Sequence, residues 1–158
     1  MKQFPLPKKD IRMKELIATT EHKTLAIWAI DCLERFMPYL ENNYPNEERP
    51  RTAINILKDW IEDKISMWEA RKYCWKVLAF GREIELDDKV GCQLARACSH
   101  TLATCHVPRH CEGVTMYTLS AMQYQNQDKE NVLELMEEEK EWQINHLLEL
   151  KNTNKICK

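Results

Sequence analysis

The chain is predicted to be all-α, a single orthogonal bundle of about six helices, on three observations. Only three glycines and six prolines occur in 158 residues, too few for the tight turns of a strand meander. Apolar residues make up 44% of the chain and recur at three- and four-residue steps rather than alternately. Serine, aspartate and proline stand at the edges of these stripes, where helices begin. The length predicts one domain over 1–158.

The elements follow in order. "HKTLAIWAIDCLERFMPYLENNYP" places Leu25, Trp28, Ala29, Cys32, Leu33, Phe36, Met37 and Leu40 on one stripe, a helix to about Asn42 with a kink expected at Pro38. "RPRTAINILKDWIEDKI" starts a second helix with Pro50 near its first position and Ala53, Ile54, Leu57, Trp60 and Ile61 as its stripe. Ser66 and Glu69 have the spacing of a capping box, followed on one face by Ala70, Tyr73, Cys74, Val77 and Leu78. Asp87 or Asp88 can cap a fourth helix with the stripe Leu94, Ala95, Cys98, Thr101, Leu102, Cys105. Pro108 restarts a fifth. A long acidic sixth, "DKENVLELMEEEKEWQINHLLELK", carries Leu135, Trp142 and Leu150 on its apolar side.

Charge and composition remove whole classes of function. A formal charge of -2 without a long basic block gives no nucleic-acid signal. No apolar run approaches the eighteen or more residues of a membrane span, and "MKQFPLPKKDIRMKE" lacks the apolar centre of a secretory signal. A cytoplasmic location is therefore expected. The seven cysteines (Cys32, Cys74, Cys92, Cys98, Cys105, Cys111 and Cys157) are odd in number and form no C-x-x-C pair. Most sit inside helical stripes, as free thiols that act as small hydrophobes.

The chemically richest stretch is "SHTLATCHVPRHCEG", with three of the five histidines. At about 100° per residue, His100 and His106 lie roughly 120° apart on a straight helix and cannot meet at one ion. His106 and His110 have zinc-like spacing, but Pro108 interrupts it, and "HVPRH" offers no glutamate base. Neither a metal nor a cofactor is expected. The histidines instead satisfy a helix junction by bonding backbone groups freed by Pro108 or by pairing with Asp31 or a glutamate, or they line an anion or small-ligand pocket with Arg35, Arg49 or Arg71. Ser99–His100 and Cys105–His106 are adjacent on a helix and point apart, so no nucleophilic pair is expected. Walker A and G-x-G-x-x-G loops are absent. The carboxylate pairs Asp31/Glu34 and Asp59/Asp63 read as well as solvated helix faces.

Four ordered patterns carry a resemblance: D-C-x-E-R at 31–35, Y-P-x-x-x-R-P-R at 44–51, H-x-x-x-T-x-H-V-P-x-H at 100–110, and W-Q-x-x-H-L at 142–147. Over about 22–150 the chain resembles the immunity-five-like family of bacterial polymorphic toxin systems. The resemblance implies an all-α domain with a toxin as its partner. The positions it marks are Asp31, Arg35, Arg49, His100, His106, His110 and Trp142. The chain departs from the family's flavour in Cys105 and Cys111, where small alanine-like residues are usual. That makes these thiols incidental and leaves the three histidines one shared task, a polar network between helices.

Two functions compete. One is a non-catalytic module that binds and neutralises its cognate toxin. The glutamates Glu134, Glu137, Glu138, Glu139 and Glu141, with Trp142, would form an acidic ridge suited to a basic toxin such as a nuclease. The other is a small-ligand-binding or metal-dependent hydrolytic domain built on His100, His106 and His110. A homodimer through the last helix fits either, but Glu139 and His146 spoil a clean heptad, so that helix is expected to pack on its own domain.

Overall fold

The computed structural model describes residues 2–156 and is helical throughout, with no strand among them. The elements are α1 (Ile11–Ala18), α2 (His22–Glu34), α3 (Met37–Asn43), α4 (Arg49–Ile61), α5 (Met67–Arg71), α6 (Cys74–Ile84), α7 (Lys89–Ala103), a 3-10 turn (Pro108–Cys111), α8 (Glu112–Gln125) and α9 (Val132–Ile156). The helix expected over 22–42 divides at Arg35–Phe36, one turn before Pro38, because proline cannot donate to the carbonyl of Glu34. The helix expected from Ser66 divides at Lys72–Tyr73; no proline or glycine marks that break. α1 has no counterpart among the six expected helices, since its buried stripe is only Met13 and Ile17.

Local chemistry sets the starts. Asp10 accepts from the Arg12 amide at 2.9 Å, Ser66 from Glu69 at 3.2 Å, and Asp88 from Gly91 at 2.8 Å, each taking up an amide left unbonded at a helix start. Pro108 opens the 3-10 turn and Pro50 is the second residue of α4, where the missing amide costs no helical bond. α4 ends with Asp63 in the left-handed region at φ 60°, where glycine is usual.

α7 lies at the centre, touching α2, α3, α4, α5, α6, α8 and the 3-10 turn. All six residues of its expected stripe, from Leu94 to Cys105, are buried. One apolar cluster gathers α2, α4, α6 and α7 around Leu33, Ile54, Leu57, Phe80 and Leu102. A second joins α1, α2, the turn, α8 and α9 through Met13, Trp28, Cys111, Val114 and Leu147. α6 and α7 approach closely at Gly81, where a Cβ would stand 3.2 Å from that of Ala95. Among the described residues, no helix is long and apolar enough to cross a membrane.

α9 packs on α1, α2 and α8, but on a different face from the one its leucines suggest. Its buried residues are Met136, Glu139, Gln143, Ile144 and Leu147. Trp142 and Leu150 flank this face, packed on the second cluster, and Leu135 is half-buried.

Candidate functional site

The expected site residues separate into four places. The first is a polar seam between α2 and α9. Arg35 grips Glu139 with Nε 3.0 Å from Oε1 and Nη2 2.8 Å from Oε2, while its guanidinium lies 3.7 Å above the Trp142 ring centre. One turn away, His146 donates from Nε2 to Asp31 Oδ2 at 2.7 Å and stacks on Trp142 with centroids 4.8 Å apart. Below them Gln143 is fully buried. Its amide donates to Glu139 at 3.2 Å and to Thr118 Oγ1 at 3.1 Å, and its Oε1 accepts from Thr115 at 2.7 Å. The Trp28 indole donates to the Gln143 carbonyl at 2.8 Å. The D-C-x-E-R and W-Q-x-x-H-L patterns are thus two halves of one helix–helix contact.

The second place is the corner between α3 and α4, which holds the Y-P-x-x-x-R-P-R pattern. Tyr44 and Tyr39 both donate to Asp88, at 2.7 and 2.9 Å. Burial, and then the Asp88 carboxylate facing its hydroxyl, push Tyr39 up to about 12. Arg49 binds Glu47 at 2.6 Å and Glu83 at 2.6 Å, with Phe80 beneath it at 5.3 Å. Arg51 pairs with Glu34 and Glu41. Arg49 therefore sits in a network of its own, away from the histidines.

The third place is the kink. His100 leaves α7 and stacks on Tyr117 of α8, centroids 5.2 Å apart, with the His110 ring at 5.6 Å. Gly113 makes this possible, since a Cβ there would lie 2.4 Å from Cγ and Nδ1 of His100. Burial, and then the proximity of His110, hold His100 below the usual imidazole range. Burial and His106 do the same to His110. His106 is exposed and turned elsewhere, accepting from Arg71 Nη1 at 3.2 Å. The three histidines do not share one task, and none of them pairs with Asp31, whose partner is His146. Of the arginines expected beside them, only Arg71 arrives.

His100 and His110 line a cavity of about 420 Å³ together with Lys9, Lys14, Arg109, Glu112 and Tyr117. The three cations were not legible as site residues, because they come from the segment before α1, from α1 and from the turn. Among the described residues, no group of three His, Cys, Asp or Glu side chains converges as for a metal ion. Burial pushes the Cys105 and Cys111 thiols up to about 12, so neither is a thiolate at neutral pH. Cys157 lies outside the described residues.

The fourth place is the outer face of α9, where the expected ridge shrinks. Glu139 is buried under Arg35, Glu137 pairs with Lys140 at 2.9 Å, and Glu141 with Arg12 at 2.5 Å. Glu134 and Glu138 are exposed and make no ion pair among the described residues. A different surface stands out on α5 and α6. Trp68 and Trp75 are 62% and 63% exposed, under Arg71 at 5.1 Å and Lys76 at 5.9 Å respectively. The available signal was that both tryptophans lie off the Ala70–Val77 face of their helical stretch, on the side left to solvent.

A family model described as "Imm-5 like putative immunity protein" matches residues 15–150. No curated protein and no solved structure matches the chain.

Proposed function

The chain belongs to the Imm-5-like family, and from that membership we propose that it is a bacterial, cytoplasmic immunity protein that binds and neutralises a cognate protein toxin without catalysis of its own. The observation that carries this reading is where the marked polar residues go. Asp31, Arg35, Arg49, His106 and Trp142 are engaged with other side chains of the same chain, which suits a scaffold that presents a surface. Neutralisation by occlusion requires anchors and complementary charge.

Trp68 and Trp75 are the anchors this reading favours. Each is large, two-thirds exposed and steadied by a cation over its ring. Arg71, Lys72 and Lys76 around them suit an acidic rim on the toxin. A second reading, a basic toxin such as a nuclease, draws on the exposed Glu134, Glu137 and Glu138 of α9.

The test is growth of cells expressing the toxin encoded beside this chain. The wild-type chain restores growth, and Trp68→Ala with Trp75→Ala abolishes rescue while the protein stays folded. Rescue that survives this pair but fails with Glu134→Gln, Glu137→Gln and Glu138→Gln would move the docking face to α9. No rescue by the wild type would overturn the immunity reading.

A further inference from the structure

We propose that the cavity at the kink between α7 and α8 binds a small organic phosphate. Its volume, about 420 Å³, falls within the roughly 300–1,000 Å³ of small-ligand pockets and exceeds what phosphate alone would fill. Its wall carries Lys9, Lys14 and Arg109 against a single carboxylate, Glu112, in a chain whose formal charge is -2. Lys9 is held by Glu112 at 2.8 Å. Lys14 and Arg109 are exposed and make no ion pair among the described residues. Like charges gathered at one concavity create a positive potential that favours an anion.

The donor types match a phosphate group. Arginine offers a planar fork to two oxygens, and lysine a compact point charge. The imidazoles of His100 and His110 stand 5.6 Å apart on the same wall. Burial disfavours the protonated form of each, helped by His110 at His100 and by His106 at His110, so an incoming dianion would draw protons onto them and gain two further charged donors. Val107, Met116 and the Tyr117 ring supply apolar surface for the organic part.

The groups facing the two imidazoles are Lys9 from the leading segment, Lys14 from α1, Arg109 from the turn, and Glu112 and Tyr117 from α8. His106 acts on His110 from outside the cavity.

The experiment follows the histidine and Tyr117 ring signals by NMR during titration with inorganic phosphate, then with ribose 5-phosphate, each against sodium chloride of equal ionic strength. Saturable shifts at His100, His110 and Tyr117 in the millimolar range or tighter are expected, with none at His22 or His146. Ribose 5-phosphate should bind more tightly than phosphate. Lys14→Ala with Arg109→Ala should weaken binding at least about tenfold while the melt is unchanged, since both side chains are exposed. His106→Ala, which removes a group opposing protonation of His110, should bind no more weakly than the wild type. A response equal to that of chloride, or binding untouched by the double variant, would overturn the site. Equal affinity for the two phosphates would overturn the organic part.

Discussion

The seam between α2 and α9 and the cavity after α7 are both polar and both marked by sequence patterns, yet they treat charge in opposite ways. On the seam each charge meets a partner: Arg35 faces Glu139, His146 faces Asp31, and Gln143 fills the remaining hydrogen bonds of the buried layer. In the cavity, cations from three pieces of chain converge on two imidazoles held towards neutrality, with one carboxylate among them. The difference teaches which polar cluster serves the fold and which is open to solvent chemistry. A satisfied network rigidifies a helix contact, whereas an excess of one charge in a concavity costs stability and attracts a counter-charge.

The largest expected effect lies in the buried layer. Gln143→Leu leaves Thr115 and one Glu139 oxygen without that partner, at a cost of about 2–4 kcal/mol, measured by urea denaturation. A cost below about 0.5 kcal/mol would place the seam among ordinary surface contacts. Gly113→Ala comes next. The added methyl collides with the His100 ring, and displacing it should cost about 1–3 kcal/mol and shift the Tyr117 ring signals in NMR spectra. An unchanged spectrum would mean that the His100–Tyr117 stack is not the resting arrangement.

Acidification separates the regions further. The folded values of His100 and His110 lie below the unfolded imidazole value of about 6.5. The unfolded chain therefore takes up protons first, and stability falls as the pH drops below that value. His100→Phe keeps a ring on Tyr117 and should flatten this dependence when denaturation midpoints are compared between about pH 7.5 and 5.5. A variant that remains as steep as the wild type would assign the acid sensitivity elsewhere. The smallest effect is expected on the exposed face: Trp68→Ala and Trp75→Ala should each shift stability by under about 0.5 kcal/mol, so their loss would register in toxin binding alone.

Much of the fold was legible in the apolar stripes. Every stripe position from Leu94 to Cys105 is buried, and the capping roles of Ser66 and Asp88 follow from their spacing. The pairing of Asp31 and Arg35 with α9 was not, because more than a hundred residues separate the partners. One signal was present: Glu139, Gln143 and His146 stand at steps of four and three, in line with Met136 and Leu147, where a core-facing stripe should be apolar. Polar residues there mark a buried network rather than a solvated ridge. The cavity was half-legible, since its histidines lie in one pattern, while Lys9 precedes α1 and Lys14 stands on α1, whose buried stripe is only Met13 and Ile17.

A double-mutant cycle on Arg35 and Glu139 tests the central claim, that the marked polar residues of the seam between α2 and α9 hold the helices together and leave function to other surfaces. Arg35→Ala, which strands the buried Glu139, should cost about 2–4 kcal/mol, with a coupling energy of about 1–3 kcal/mol between the two substitutions. Near-zero coupling, with both variants as stable as the wild type, would contradict the account and return these residues to the list of candidates for recognition.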